Sequence, residues 1–191
     1  TTINPYTLKS YSGTYFWFRG DQEINSKIEN NWSGDEILKE ILKDDYWSKQ
    51  EIIDNFKHEL KRISILDRFS LFPIKEFIEK NYKHKLIFID GTHFSYSLCL
   101  YVANEIVKKL HIEPINNIDE MNQMEGRQTS VMPVYPCVVK ALEMKIEDTY
   151  QFYNIQEGTL EYLDIQEYTR RYIQYVVSVR DMYIKSGTIM A

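Results

Sequence analysis

The sequence predicts an α+β protein: a single domain with a small split sheet, mixed or antiparallel, helices in the first half and a helix at the C-terminus. Three observations predict it. Two capping boxes, Ser33-Gly34-Asp35-Glu36 and Ser48-Lys49-Gln50-Glu51, each precede apolar residues at helical spacing. Short runs of β-branched and aromatic residues stand apart from them, at 14–18, 86–89, 131–139, 141–146 and 149–155. The last long stretch, about 165–185, places Ile165, Tyr168, Tyr172, Ile173, Val176 and Tyr183 broadly on one side of a helix. A chain of 191 residues is long enough for one sizeable core, and 1–191 is read as one unit.

Residues 1–13 are polar and turn-rich and read as a lead-in. Thr14-Tyr15-Phe16-Trp17-Phe18 is a dense β-forming run that stops at Arg19-Gly20-Asp21. Helices are expected at about 33–43 and 48–64 behind the two boxes. Pro73 suits the first turn of a third, at about 73–82. Leu86 to Ala103 organises the rest of the chain. Leu86-Ile87-Phe88-Ile89 reads as a strand, Asp90-Gly91-Thr92-His93 as a turn, and an apolar helix follows from about Phe94 to Leu110. Residues 112–130 are polar and long for a connection, and read as a lid or flexible loop. Pro133 and Pro136 demote Val131–Val139 to an edge or broken strand. Ala141–Ile146 and Thr149–Ile155 read as further strands before a break at Gln156-Glu157-Gly158-Thr159.

Composition excludes several classes. The net charge is −5 and no basic face is clustered, which disfavours a general nucleic-acid surface. No apolar run reaches the length of a membrane span, and no membrane partner is expected. The sequence has no signal peptide, and its start at Thr1 leaves room for an upstream piece. Cys99 and Cys137 both lie among apolar residues and read as reduced core positions, which fits the cytoplasm. No Cys/His spacing of the zinc type occurs, so no metal is expected. Asp44-Asp45 and Glu147-Asp148 lack the context of a metal-dependent nuclease and read as solvated acids. His58 lies among charged residues and reads as exposed.

The functional candidates cluster at strand ends. Arg19 follows a buried run and precedes Gly20; its planar fork suits phosphate, carboxylate or ribose oxygens at a cleft rim, although a surface Arg at an ordinary strand end is the plainer reading. Asp90, Thr92 and Ser95 surround a helix start, where unpaired amides can hold an anion; Asp90 or Thr92 can equally serve as a simple cap. His93 follows Thr92 and is placed to exchange a proton, although packing is the commoner role for a lone histidine.

Three stretches, in order, resemble the FRG domain family. The first is Tyr15-Phe16-Trp17-Phe18-Arg19-Gly20, followed by a polar segment and Trp32. The second runs from Asn81-Tyr82 to Asp90-Gly91-Thr92, where Tyr82, Asp90 and Thr92 stand at the family's spacing. Leu98 to Ala103 then looks like the family's Ala-Leu-Tyr-Phe-Ala helix. The third is Gln156-Glu157-Gly158-Thr159-Leu160, similar to a late Gln-x-Gly-x-Phe motif. The sequence departs from the family at Asn81 for its histidine, Lys83 for its glycine, Leu86-Ile87 for its Thr-Arg pair and Gly91 for its tryptophan.

The resemblance implies a nucleotide-related module of bacterial or phage proteins, in a phage-defence or toxin-like setting. The motif order also looks like that of ADP-ribosyltransferases, which implies NAD as cofactor and an ADP-ribosyl or glycosyl transfer or hydrolysis. On that analogy Arg19 engages ribose or phosphate and Thr92 or Ser95 supports the nicotinamide-ribose pocket. Glu157 holds a ribose hydroxyl and stabilises positive charge at the anomeric carbon. Gly20, Tyr82, Asp90 and Gln156 complete the implied ligand-binding set, with Glu157 and His93 as the catalytic pair. The competing expectation is a non-catalytic protein-interaction domain that keeps the fold and uses Tyr-rich surfaces.

Overall fold

The structure is a computed structural model. It describes residues 22–89, 94–115, 134–146, 149–154 and 159–185. Most of the described residues are helical. In chain order the elements are α1 (Gln22–Glu29), α2 (Gly34–Ile41), α3 (Lys49–Asp67), α4 (Lys75–Asn81), α5 (Tyr96–Lys109), α6 (Pro136–Ala141), β1 (Thr149–Asn154), β2 (Thr159–Asp164) and α7 (Ile165–Lys185).

Both capping boxes form. The Ser33 and Ser48 hydroxyls accept from the amides of Glu36 and Glu51, and each glutamate accepts from its serine's amide, at 2.8 and 3.1 Å respectively. These reciprocal bonds satisfy donors that a helix start otherwise leaves open. Helix α4 begins two residues after Pro73, and its own N-cap residue Ile74 supplies no side-chain bond. Asp67, the last residue of α3, does so instead: its carboxylate accepts from the amides of Ile74 at 3.1 Å and Lys75 at 2.9 Å. Asp164 caps α7 by accepting from the Glu167 amide at 2.7 Å.

Three helices end the same way. Trp32, Ile112 and Met144 donate their amides back five residues, to Lys27, Val107 and Val139. The residue before each of them has positive φ: Asn31 at 61°, His111 at 57° and Glu143 at 53°. This is the Schellman geometry, here built without glycine.

Two apolar clusters fill the interior. The larger gathers α3, α4, the 86–88 stretch, α5 and α6 around Ile78, Ile87, Phe88, Leu98 and Val138. The smaller joins α1 and α2 to α7 through Ile24, Ile37, Ile41 and Ile173. Tyr46 and Tyr135 pack against both clusters, with their rings stacked at 5.8 Å, and Trp47 tilts onto Tyr135 at 4.8 Å.

The split sheet is not found among the described residues. In its place is one antiparallel hairpin, β1 with β2, which runs Thr149 opposite Asp164 to Asn154 opposite Thr159. Residues 86–89 form only an isolated bridge, Phe88 with Phe94. Of the expected broken strand at 131–139, residues 136–139 are helix α6: Pro136 sits in the first turn, where its missing N–H costs nothing. The expected strand at 141–146 is the end of α6 and an irregular exit. Val138 and Cys137 are buried there through helix packing on α3. The sequence reading assigned no helix to α1 and no strand to β2. The 14–18 strand lies outside the described residues, as do 116–130 of the expected lid. The first part of that segment is held in place, since Asn104 bonds both the amide (2.7 Å) and the carbonyl (3.3 Å) of Ile115.

Candidate functional site

Of the nine candidate site residues, two fall in described positions. Arg19, Gly20, Asp90, Thr92, His93, Gln156 and Glu157 lie outside the described residues, whereas Tyr82 and Ser95 lie inside them.

Tyr82 is the C-cap of α4. Its amide bonds Ile78 at 2.9 Å, and its ring tilts against Phe56 at 4.6 Å, at the edge of the larger core. Next to it, Asn81 turns its amide group back to the Phe77 carbonyl at 2.7 Å, and Lys83 pairs with Glu143 at 2.6 Å. The Lys83–Glu143 pair ties the α4 exit to the end of α6. Tyr82 is therefore part of the packing that fixes the 86–89 stretch.

Ser95 stands at the N-cap of α5, with extended backbone geometry. Its amide donates to the Ile87 carbonyl at 2.8 Å, and its own carbonyl accepts from Leu98 and Cys99 at 3.1 Å. Together with the Phe88–Phe94 bridge, this pins the two sides of the 90–93 segment. The Ser95 side chain does not follow the pattern of Ser33 and Ser48. It makes no capping bond, and α5 has no acid in its first turn. Its hydroxyl oxygen is buried, with no hydrogen-bond partner among the described residues. A buried unpaired hydroxyl costs on the order of 1–3 kcal/mol. Phe94, directly before it, is 40% exposed and tilts onto Phe88 at 5.6 Å. The start of α5 thus combines the positive end of a 14-residue helix, an orphaned hydroxyl and an open aromatic ring. These groups suit an oxyanion or ribose oxygen next to a flat ring, which fits part of a nucleotide. Among the described residues no carboxylate joins them to serve the anomeric carbon.

The sequence reading missed a second feature. A cleft of about 750 Å³ opens between the α2–α3 connection, α6 and the start of α7. Val134, Val139 and Met144 line it together with Asp44, Lys140 and Asp164. Its charges are largely engaged: Lys140 pairs with Asp44 at 2.6 Å, and Asp164 caps α7. The hydrogen bond from Lys83, and its charge, hold the Glu143 carboxyl below the usual carboxylate range. No sequence pattern signals this cleft, because its walls come from three separate segments.

The cysteines split. Cys137 is buried, and burial pushes its thiol up. Cys99 is exposed on α5, contrary to the expectation of a core position, because the buried face of that helix is set by Leu98. His58 is exposed, as expected, and Trp32 lies 41% exposed under the Lys27 ammonium at 4.5 Å. Among the described residues no group of His, Cys, Asp and Glu is placed to hold a metal ion, and no helix is long and apolar enough to cross a membrane.

No family model matches the chain, and neither the curated proteins nor the solved structures give a significant match.

Proposed function

We propose that this chain is a nucleotide-binding domain of FRG-like type that takes NAD or an ADP-ribose-containing ligand in the cytoplasm. The start of α5 receives a phosphate or ribose oxygen. The observation that carries this reading is the buried Ser95 hydroxyl, without a hydrogen-bond partner among the described residues, at a helix N-terminus that no side chain among them caps. A folded chain keeps such a group at a cost, and a ligand oxygen is one partner that would offset it. Phe94 supplies a ring on which a base or nicotinamide stacks. In this reading Arg19 and Gly20 hold phosphate, Asp90, Thr92 and Gln156 hold ribose hydroxyls, and Tyr82 buttresses the site from the core. Glu157 stabilises the cation-like sugar during an ADP-ribosyl or glycosyl transfer or hydrolysis, with His93 exchanging the proton.

The test is calorimetric titration with NAD, ADP-ribose and ATP, alongside Ser95→Ala and Arg19→Ala. Saturable binding that weakens about tenfold in each variant supports the reading, since one charge-assisted hydrogen bond is worth that much. Absence of binding by all three ligands overturns it.

The second reading is a non-catalytic interaction domain. A specific observation favours it: large apolar side chains stand exposed together at the C-terminal ends of α3 and α5.

A further inference from the structure

Among the described residues, most of the exposed large apolar side chains sit at one end of the molecule. Ile65, Leu66, Phe69 and Leu71 lie at the end of α3 and the turn after it, and Leu110 and Ile112 at the end of α5. Phe69 is 87% exposed and Leu71 73%, so both project from the surface. Two bonds join these parts into one face. Lys109 of α5 donates to the Leu71 carbonyl at 3.1 Å with its ammonium over the Phe72 ring, and the Tyr101 hydroxyl donates to the Pro73 carbonyl at 3.0 Å. A monomer seldom leaves so much apolar surface concentrated without a use for it.

The charges around this face that lack an ion-pair partner among the described residues are mostly positive. Lys57, Lys61 and Arg68 follow each other along α3 toward the turn, and Lys109 stands at its base. None of the four has a carboxylate partner among the described residues. The acids nearby are engaged: Glu59 with Arg62 at 2.9 Å, Glu105 with Lys108 at 2.6 Å, and Asp67 with the α4 amides. Glu113 is the exception. A projecting apolar tip suits a yielding medium, and unpaired cations behind it suit anionic headgroups.

We infer that this face docks on an anionic lipid surface, with Phe69 and Leu71 entering the headgroup–acyl boundary and Lys57, Lys61 and Arg68 meeting phosphates. No span is needed: the contact lies in the plane of the membrane. It departs from the expectation of no membrane partner, which rested on the absence of a spanning helix. It is also independent of the α5 N-terminal site.

The experiment is sedimentation of the whole chain with vesicles of phosphatidylcholine, with and without about one third phosphatidylglycerol. Binding is expected to the anionic vesicles only and to fall as salt is raised. The double variant Phe69→Ser/Leu71→Ser is expected to lose binding at least tenfold, and Arg68→Gln or Lys61→Gln about fivefold each, at unchanged circular dichroism and melting temperature. All four side chains are exposed or at the rim, so the variants fold. Ser95→Ala leaves vesicle binding unchanged, which separates this face from the ligand site. Failure to bind anionic vesicles overturns the inference, and so does binding that the double variant retains. Concentration-dependent dimers that the double variant abolishes, without vesicle binding, overturn it in favour of a self-interface.

Discussion

The amide of Ser95 donates to the carbonyl of Ile87 at 2.8 Å, and this bond joins the start of α5 to the buried pair Ile87 and Phe88. Ile87 is anchored in the larger core beside Ile78 and Leu98. The helix start is therefore fixed by packing rather than by its own cap. That leaves the Ser95 hydroxyl unpaired among the described residues.

Ser95→Ala is expected to leave the free chain as stable as before, or about 1 kcal/mol more stable, because it removes a buried group that has no partner among the described residues. Ser33→Ala and Ser48→Ala should each cost about 1 kcal/mol, the usual loss for a working N-cap. Urea denaturation of the three variants checks this. A destabilised Ser95→Ala would show that the hydroxyl is bonded in the free chain.

Stability should fall on acidification. The Ser33 hydroxyl and amide hold Glu36 below the usual carboxylate range, and the Ser48 hydroxyl and amide do the same for Glu51. Arg171 and Arg170 lower Glu167 in the same way. A carboxylate whose folded value is depressed adds stability above its unfolded value and loses it as pH falls through the folded one. Melting temperatures followed from about pH 7 to about pH 3 should drop mainly below the ordinary carboxylate range. Glu36→Gln/Glu51→Gln should show a shallower drop.

Asp67→Ala should cost about 1–2 kcal/mol, because it removes the side-chain bonds to the first amides of α4. Asp67→Asn should recover part of the loss, since its carbonyl oxygen can still accept. Thermal denaturation of the pair reads the difference. Equal stability of all three chains would mean that α4 is capped by solvent.

His111→Gly should stabilise the chain by about 1 kcal/mol. His111 holds φ at 57° on the exposed end of α5, a conformation that costs a residue with a Cβ roughly that much and glycine nothing. Denaturant midpoints of the two chains decide it.

Tyr135→Ala should cost about 3 kcal/mol, since the ring packs on Tyr46 and Trp47 where the two cores meet. If the two clusters unfold as one unit, the variant's unfolding followed by Trp fluorescence and by circular dichroism should still coincide.

The sequence by itself determined the helices that carry their own start signals. Ser33 to Glu36 and Ser48 to Glu51 are local hydrogen-bonding devices, so α2 and α3 were legible without any tertiary contact. The apolar spacing of α5 and α7 was legible for the same reason: periodicity is a property of the chain. Ser95 was legible as a residue flanking a helix start and Tyr82 only through the family resemblance, neither of them in its role. Only the tertiary structure decided that Pro136 opens a helix rather than breaking a strand. The β-branched residues around it are helical because Cys137 and Val138 gain burial against α3, and that gain outweighs their weak preference for strands. It also decided that 86–89 makes a single bridge, that Cys99 faces outward and that α4 takes its cap from Asp67. Each of these depends on a partner distant along the chain or on which face a helix turns to the core, and neither is set by local spacing.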